Sequence, residues 1–180
     1  MSGLSHRLFF ALAPSARERA LIGLHRDEVQ GSHSLVSNDR LHLTLGITNN
    51  YEAFPEQIAR RMMTIGDNVA AEPFRLALDR ISAGARSIAL RPSHRCAGIA
   101  DLQHQLGLGL RRWNISREGW AFSPHVTLLY WEGQPFLRPI SPILLEVTDF
   151  VLIHSMVGAT QHRELARWQL SVRQKSFLFS

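Results

Sequence analysis

The chain of 180 residues is 45% hydrophobic, and its 20 Lys and Arg against 15 Asp and Glu give a formal net charge of +5. This length and composition fit one large domain, or two small lobes that share a core, and argue against wholesale disorder. The single cysteine, Cys96, excludes an internal disulfide and a cysteine-based zinc cluster, and no stretch reaches the ~20 apolar residues of a membrane span.

Hydrophobic periodicity predicts the elements of the first half of the chain. An apolar strand is stopped by Pro14, which also leaves too short a run for a signal peptide, so we expect a soluble cytoplasmic protein. Apolar residues at helical spacing then predict two helices, one before and one after a second buried strand. In order, the predicted elements are a strand at 7–13, a helix at 15–29, a strand at 41–47, a helix at 55–69 and a strand at 74–81.

The second half repeats part of this order. A strand at 86–91, a helix at 94–113 and a strand at 124–131 match the strand, helix and strand of 7–47 in pattern, which indicates a duplication. Three prolines predict a loop at 133–142, and the remaining patterns predict a strand at 144–156, a turn at 158–161 and a closing strand at 164–172.

This pattern predicts an α+β fold in which two mainly antiparallel sheets face a central cleft, with the helices on the outside. We expect residues 1–180 to form a single bilobal, duplicated domain. Its lobes would comprise about 1–80 with part of the C-terminal hairpin, and 81–172.

Two matching strands carry the polar residues of interest. Leu41-His42-Leu43-Thr44-Leu45 in the first half corresponds to Pro124-His125-Val126-Thr127-Leu128-Leu129 in the second. Side chains two residues apart on a strand leave on the same face, so each histidine and its threonine should point the same way. One strand from each half would bring two histidines and two threonines around one cleft.

This residue set suits acid–base chemistry on a phosphodiester. A histidine has an ordinary pKa near ~6.5, so one imidazole can accept a proton from water while the other donates one to a leaving oxygen. Threonine hydroxyls can donate hydrogen bonds to the phosphate oxygens, and nearly all of the cations are arginines, whose planar fork suits phosphate. A zinc site that combines His42, His125 and a third histidine is the alternative, but no HExxH motif or helical histidine pair supports it.

The paired motifs resemble those that define the two-histidine (2H) phosphoesterase superfamily. Within it, the chain is similar to the bacterial and archaeal RNA 2′,3′-cyclic phosphodiesterases, long labelled 2′-5′ RNA ligases. The resemblance covers nearly the whole chain and includes the opening Arg7-Leu8-Phe9-Phe10-Ala11 and the closing segments 150–155 and 165–170.

The resemblance implies a bilobal α+β fold with the active site between the lobes. It also implies that His125 accepts a proton from water, that His42 donates a proton to the leaving 3′-oxygen, and that Thr44 and Thr127 hold the phosphate. No metal or cofactor is implied.

The sequence departs from the family pattern after each motif. The first motif continues into Gly46 rather than Phe-Leu-Gly, and Tyr130 and Trp131 stand where an arginine is often found. An aromatic side chain there can pack in the rim or core, or stack on a base, which is worth ~1–3 kcal/mol. One of Phe9 and Phe10 should lie in the core while the other floors the cleft; Phe10, Tyr130 and Trp131 are taken as substrate contacts.

The sequence therefore predicts a metal-independent enzyme that hydrolyses 2′,3′-cyclic phosphates to 2′-phosphomonoesters. Its expected partner is RNA with a 2′,3′-cyclic phosphate end, or a cyclic nucleotide; a monomer is expected, with no membrane or protein partner. A non-catalytic module that binds nucleotides or RNA ends remains an alternative, as does the same chemistry on another cyclic phosphate or a 2′-5′ linkage.

Overall fold

The computed structural model describes residues 4–29, 34–84 and 86–171. Within these ranges, three helices accompany the strands: α1 (Ala16–Asp27), α2 (Glu56–Asp67) and α3 (Ala97–Arg112). No helix in the described part of the chain has both the length and the apolar character to cross a membrane. The strands are β1 (Ser5–Leu12), β2 (Ser34–Leu35), β3 (Leu43–Ile47), β4 (Phe74–Ala83), β5 (Ser87–Arg91), β6 (Val126–Tyr130), β7 (Phe136–Val147), β8 (Asp149–Val157) and β9 (Gln161–Gln169).

The strands form one antiparallel sheet in the order β7-β4-β5-β6-β3-β1-β8-β9, and the short β2 pairs with β6. A single pair, Leu43 with Val126, joins β3 to β6 at the centre. The two predicted sheets are therefore the two halves of one sheet, linked where the two motif strands meet. The α+β class with antiparallel pairing is confirmed, whereas the division into lobes near residue 80 stays a prediction.

The two halves have related connections. β1 lies beside motif strand β3, and β5 lies beside motif strand β6, with a helix between the members of each pair along the chain. Helix α1 packs against β6 and β7 of the opposite half, and α3 packs against β3. Because α1 and α3 each pack on strands of the other half, one apolar core extends across both halves.

Two sequence predictions near the end of the chain are wrong. The predicted loop at 133–142 contains the start of β7, and the predicted strand at 144–156 is broken at Thr148 into the end of β7 and the start of β8. β7 is an edge strand, so a proline whose missing N–H would point away from the sheet breaks no hydrogen bond between strands. Pro139 and Pro142 therefore do not end it. β7 and β8 then pair with β4 and β1, in opposite halves of the sheet.

Gly46 lets a helix approach the first motif strand. A Cβ atom at this position would lie 2.6 Å from Cδ1 of Leu110 on α3, a separation that real Cβ contacts do not show. A residue with a Cβ atom here would therefore require the end of the Leu110 side chain to move.

A buried carboxylate fixes the start of α1. Glu18 accepts hydrogen bonds from the backbone N–H of Ser15 at 2.6 Å and from that of Glu146 on β7 at 2.7 Å. The Ser15 hydroxyl in turn accepts from the Glu18 N–H, which completes a capping box. The same side chain thus caps the helix and attaches it to the opposite half of the sheet.

We expect Glu18→Ala to lower the free energy of unfolding by about 1–2 kcal/mol, because two partly buried N–H donors lose a charged acceptor. Urea unfolding followed by circular dichroism measures the change. Glu56→Ala is the matched control, since Glu56 lies in the first turn of α2 but makes only an exposed ion pair with Arg60. Equal losses in the two variants would contradict the role of Glu18.

Candidate active site

The register of the central pair places the four motif residues around one point. Leu43 and Val126 are fully buried, and their neighbours on either side turn to the opposite face of the sheet. His42 immediately precedes β3 and His125 immediately precedes β6.

The strands are antiparallel, so the residues on either side of the Leu43–Val126 pair also lie opposite each other. His42 is therefore across from Thr127, and Thr44 is across from His125. All four side chains are half-buried. The result is a quartet with approximate two-fold symmetry.

Both imidazoles are held in the same way. Nδ1 of His42 lies 2.6 Å from the carbonyl oxygen of Arg40, and Nδ1 of His125 lies 2.7 Å from that of Ser123. A carbonyl only accepts, so Nδ1 carries the proton in each ring. Each histidine therefore keeps Nε2 available as a proton acceptor, with its ring fixed by the chain two residues upstream.

The surroundings disfavour the charged form of both histidines. Burial, followed by the nearby His162 and Arg40, lowers the pKa of His42 to about 4, although the Arg40 carbonyl opposes the shift. Burial also lowers the pKa of His125, assisted by the Arg91 guanidinium and opposed by the Ser123 carbonyl. In the free protein near pH 7 the site therefore holds two neutral imidazoles.

The quartet lies at a cavity of about 330 Å³, which we call the catalytic cavity. His42, Thr44 and Thr127 line it, and His125 lies near enough to influence the pKa of His42. Arg7 and Arg40 also line it, whereas none of its described lining residues is a carboxylate, so the cavity suits an anion. The other lining residues are Phe9, Val36, Ile47, Tyr130, Ser155, Met156, Val157, Gly158, Thr160 and His162.

The alternation of β1 corrects one predicted contact. Phe10 is 0% exposed and packs in the core against Phe150 and Trp168, so its prediction as a substrate contact is wrong. Phe9 points to the other face, lines the catalytic cavity and lies 4.8 Å from His42 between ring centroids. Phe9 is the phenylalanine that floors the site.

The two aromatic residues after the second motif have different positions. Tyr130 is 55% exposed and lines the catalytic cavity, where it can reach a ligand. Trp131 donates from Nε1 to the carbonyl of Gly84 at 3.2 Å, and its ring meets Phe136 edge-on. Trp131 is not among the cavity-lining residues, so the structure gives it a packing role and leaves Tyr130 as the candidate contact.

Sequence reasoning missed three residues of the site. Arg7 lies on the same face of β1 as Phe9, and the alternation of that strand could have indicated it. Arg40 follows from the spacing, since it lies two residues before His42. His162 is on β9, distant in sequence, and its ring meets His42 edge-on at 5.3 Å between centroids; no local signal predicts it.

Among the described residues, no three histidine, cysteine, aspartate or glutamate side chains come together in an arrangement that could hold a metal ion.

A family model and several solved structures are similar to the chain. The family model described as the 2′-5′ RNA ligase superfamily matches residues 14–168. A search of curated proteins finds no match.

Solved structures also resemble the chain over nearly its whole length. Escherichia coli LigT in its apo form is 26% identical with a TM-score of 0.78, covering 94% of this chain and 100% of that chain. LigT from the same organism complexed with phosphate is 26% identical with a TM-score of 0.74, at the same coverage. The protein TT0787 of Thermus thermophilus, at 22% identity and a TM-score of 0.72, shares the fold over 91% of this chain and 97% of its own.

The buried histidines predict a loss of stability in acid. Burial, with help from Arg40, lowers the pKa of His162 to about 4, as for His42. Between the unfolded value near ~6.5 and the folded value near 4, the unfolded chain binds more protons, so stability is full above ~6.5 and falls as pH decreases. One such group contributes at most about 3 kcal/mol to this loss.

Urea unfolding at pH 7.5 and at pH 4.5 measures the effect. We expect His162→Phe to keep the ring contacts with Phe9 and His42. Between pH 7.5 and pH 4.5 its free energy of unfolding should fall by about 2 kcal/mol less than that of the wild type. His104→Phe, exposed on α3, should behave as the wild type. If His162→Phe loses as much free energy of unfolding between these pH values as the wild type, the His162 imidazole is protonated in the folded state at pH 4.5.

Proposed function

Because the chain belongs to the 2′-5′ RNA ligase superfamily, we propose that it hydrolyses 2′,3′-cyclic phosphates to 2′-phosphomonoesters without a metal. Family membership supports the coarser statement, an enzyme that acts on phosphodiester bonds. The observation that carries the finer one is the quartet of His42, Thr44, His125 and Thr127, with both Nε2 atoms available. RNA ends and small cyclic nucleotides are the proposed substrates.

The proposed reaction needs two proton transfers. Nε2 of His125 accepts a proton from water as the water oxygen attacks phosphorus, and the bond between phosphorus and the 3′-oxygen breaks. His42 donates a proton from Nε2 to that departing oxygen, and the product carries its phosphate on the 2′-oxygen. Each positioned transfer contributes about 10²–10⁴-fold to the rate.

The hydroxyls and arginines act on the charge of the phosphate. Thr44 and Thr127 donate to its non-bridging oxygens, where charge builds up in the transition state. Arg7 and Arg40 give the cavity its positive charge. Nε of Arg7 donates to Asn50 Oδ1 at 2.6 Å, which orients the guanidinium and leaves its terminal nitrogens for an anion.

His42 must be protonated to act as the acid, although its pKa is about 4 in the free site. A phosphodiester anion about 4 Å away contributes about 4 kcal/mol at an effective dielectric constant near 20. That energy raises the pKa of an imidazole by about 3, which returns His42 to the neutral range. Substrate binding would therefore favour the uptake of a proton from solvent by His42.

The first test is a product assay on 2′,3′-cyclic AMP and on a short RNA with a cyclic phosphate end, in the presence of EDTA. We expect His42→Ala and His125→Ala to lower kcat by about 10²–10⁴-fold, and Thr44→Val or Thr127→Val by about 10²-fold. His104→Ala, exposed on α3, should retain wild-type activity. Binding of these nucleotides without any product would instead favour a non-catalytic module.

A second substrate separates the acid from the base. A nucleoside phosphodiester with a 4-nitrophenolate leaving group needs no proton on departure, so His42→Ala should lose far less activity on it than His125→Ala. The opposite ranking would reverse the two roles, and equal losses would contradict a division into acid and base.

Tyr130 is proposed to stack on the base of the substrate. Tyr130→Ala should raise KM for cyclic nucleotides by about 5- to 50-fold, with kcat changed less, because stacking is worth ~1–3 kcal/mol. Tyr130→Phe keeps the ring and should retain the wild-type KM. Trp131→Phe serves as the neighbouring control, since Trp131 packs near Phe136 and should affect stability rather than KM.

A further inference from the structure

A smaller cavity of about 160 Å³ adjoins the catalytic cavity. Arg40, His42 and His162 line both cavities, so the two meet at the imidazole of the proposed acid. Arg19 of α1 lines the smaller one, which we call the arginine cavity, and not the catalytic cavity; it also lines a separate cavity of about 310 Å³. Its remaining lining residues are Ala13, Asp39, Leu41, Ile153 and Glu164.

Both arginines that line this cavity have a buried donor without a partner. Nε of Arg19 and Nε of Arg40 are the buried side-chain nitrogens or oxygens of the described chain that lack a hydrogen-bond partner. A buried N–H left unpaired destabilises the protein, more so on a charged group. Because both Nε atoms are fully buried, an acceptor inside the cavity would be bound by the terminal guanidinium nitrogens.

The two carboxylates beside the cavity have other partners. Glu164 accepts from Arg167 through both oxygens, at 2.9 and 2.6 Å. Asp39 is exposed, and a hydrogen bond from Ser37 is the main reason that its pKa is lowered, with smaller contributions from the charges of Arg40 and Arg19. Neither acid accepts a hydrogen bond from Nε of Arg19 or of Arg40.

We propose that the arginine cavity is a second phosphate subsite, in which Arg19 and Arg40 bind a phosphate that the substrate carries besides its cyclic phosphate. The planar guanidinium fork suits phosphate oxygens, and the shared wall at His42 places this subsite beside the reacting group. In a nucleotide, the group that lies on the same ribose is the 5′-phosphate, or the phosphodiester of the preceding nucleotide. The inference rests on the proposed function and extends it from a cyclic phosphate alone to a nucleotide that bears a further phosphate.

Calorimetry on the full chain tests the subsite without turnover. The probes are adenosine 2′-phosphate and adenosine 2′,5′-bisphosphate, which differ only in the second phosphate. We expect the wild type to bind the bisphosphate about 10-fold more tightly, since hydrogen bonds to charged groups are the stronger ones. Arg19→Gln should reduce this ratio to about 3-fold or less.

Arg17→Gln is the matched control, because Arg17 is exposed on the same helix and lies outside the cavity, yet its loss changes the net charge equally. Arg40→Gln, which keeps the backbone carbonyl that holds His42, should reduce the ratio as well. Equal wild-type affinity for the two probes would overturn the subsite. If Arg17→Gln lowers the ratio of the two affinities as much as Arg19→Gln does, the effect comes from the overall charge of the protein and the subsite is refuted.

Kinetics separate a failure of the subsite from a failure of the function. The ratio of kcat/KM for 5′-phosphorylated 2′,3′-cyclic AMP over 2′,3′-cyclic AMP should exceed 1 in the wild type and fall in Arg19→Gln. Hydrolysis of both substrates at equal rates would retain the proposed function and refute the subsite. If neither is hydrolysed, the proposed function fails, and the calorimetric ratio still decides whether a second phosphate binds.

Discussion

The site depends on one backbone pair at the centre of the sheet. Leu43 of β3 lies opposite Val126 of β6, and both side chains point into the core. Because side chains alternate along a strand, the histidine and threonine on either side of each point to the other face. A shift of register by one residue would reverse every side chain of a strand, so the same apolar burial that holds the sheet together also fixes the polar quartet. Stability and site geometry are therefore a single constraint.

The rest of the fold keeps that central pair in place. The two halves of the sheet share little direct strand pairing. Helix α1 follows β1 of one half but packs on β6 and β7 of the other, and α3 follows β5 but packs on β3 of the opposite half. Glu18 ties the first turn of α1 to β7, and Gly46 lets α3 approach β3. Helices α1 and α3 thus connect the two halves on one face of the sheet, and the quartet lies on the other face.

Charge in the cleft is arranged for an anion. Backbone carbonyls fix both imidazoles, burial keeps them neutral, and arginines supply the positive charge. In the proposed mechanism, His42 is neutral in the free site and gains a proton when the anionic substrate binds, so proton donation would depend on binding. The unpaired nitrogens of Arg19 and Arg40 extend this positive region past His42, in a direction that the motifs do not mark.

The sequence by itself determined the α+β class, the order of most elements and the two motifs, because alternating apolar residues and a repeated His-x-Thr pattern are local signals. It misplaced the start of β7, since a proline is tolerated only through the edge position that pairing decides. It chose Phe10 over Phe9, since residues 8–13 are all apolar and do not themselves reveal which face the helices cover. The positions of His162 and Arg19 and the unpaired Nε of Arg40 belong to the tertiary structure alone, because distant segments meet there and burial, not spacing, gives each side chain its surroundings.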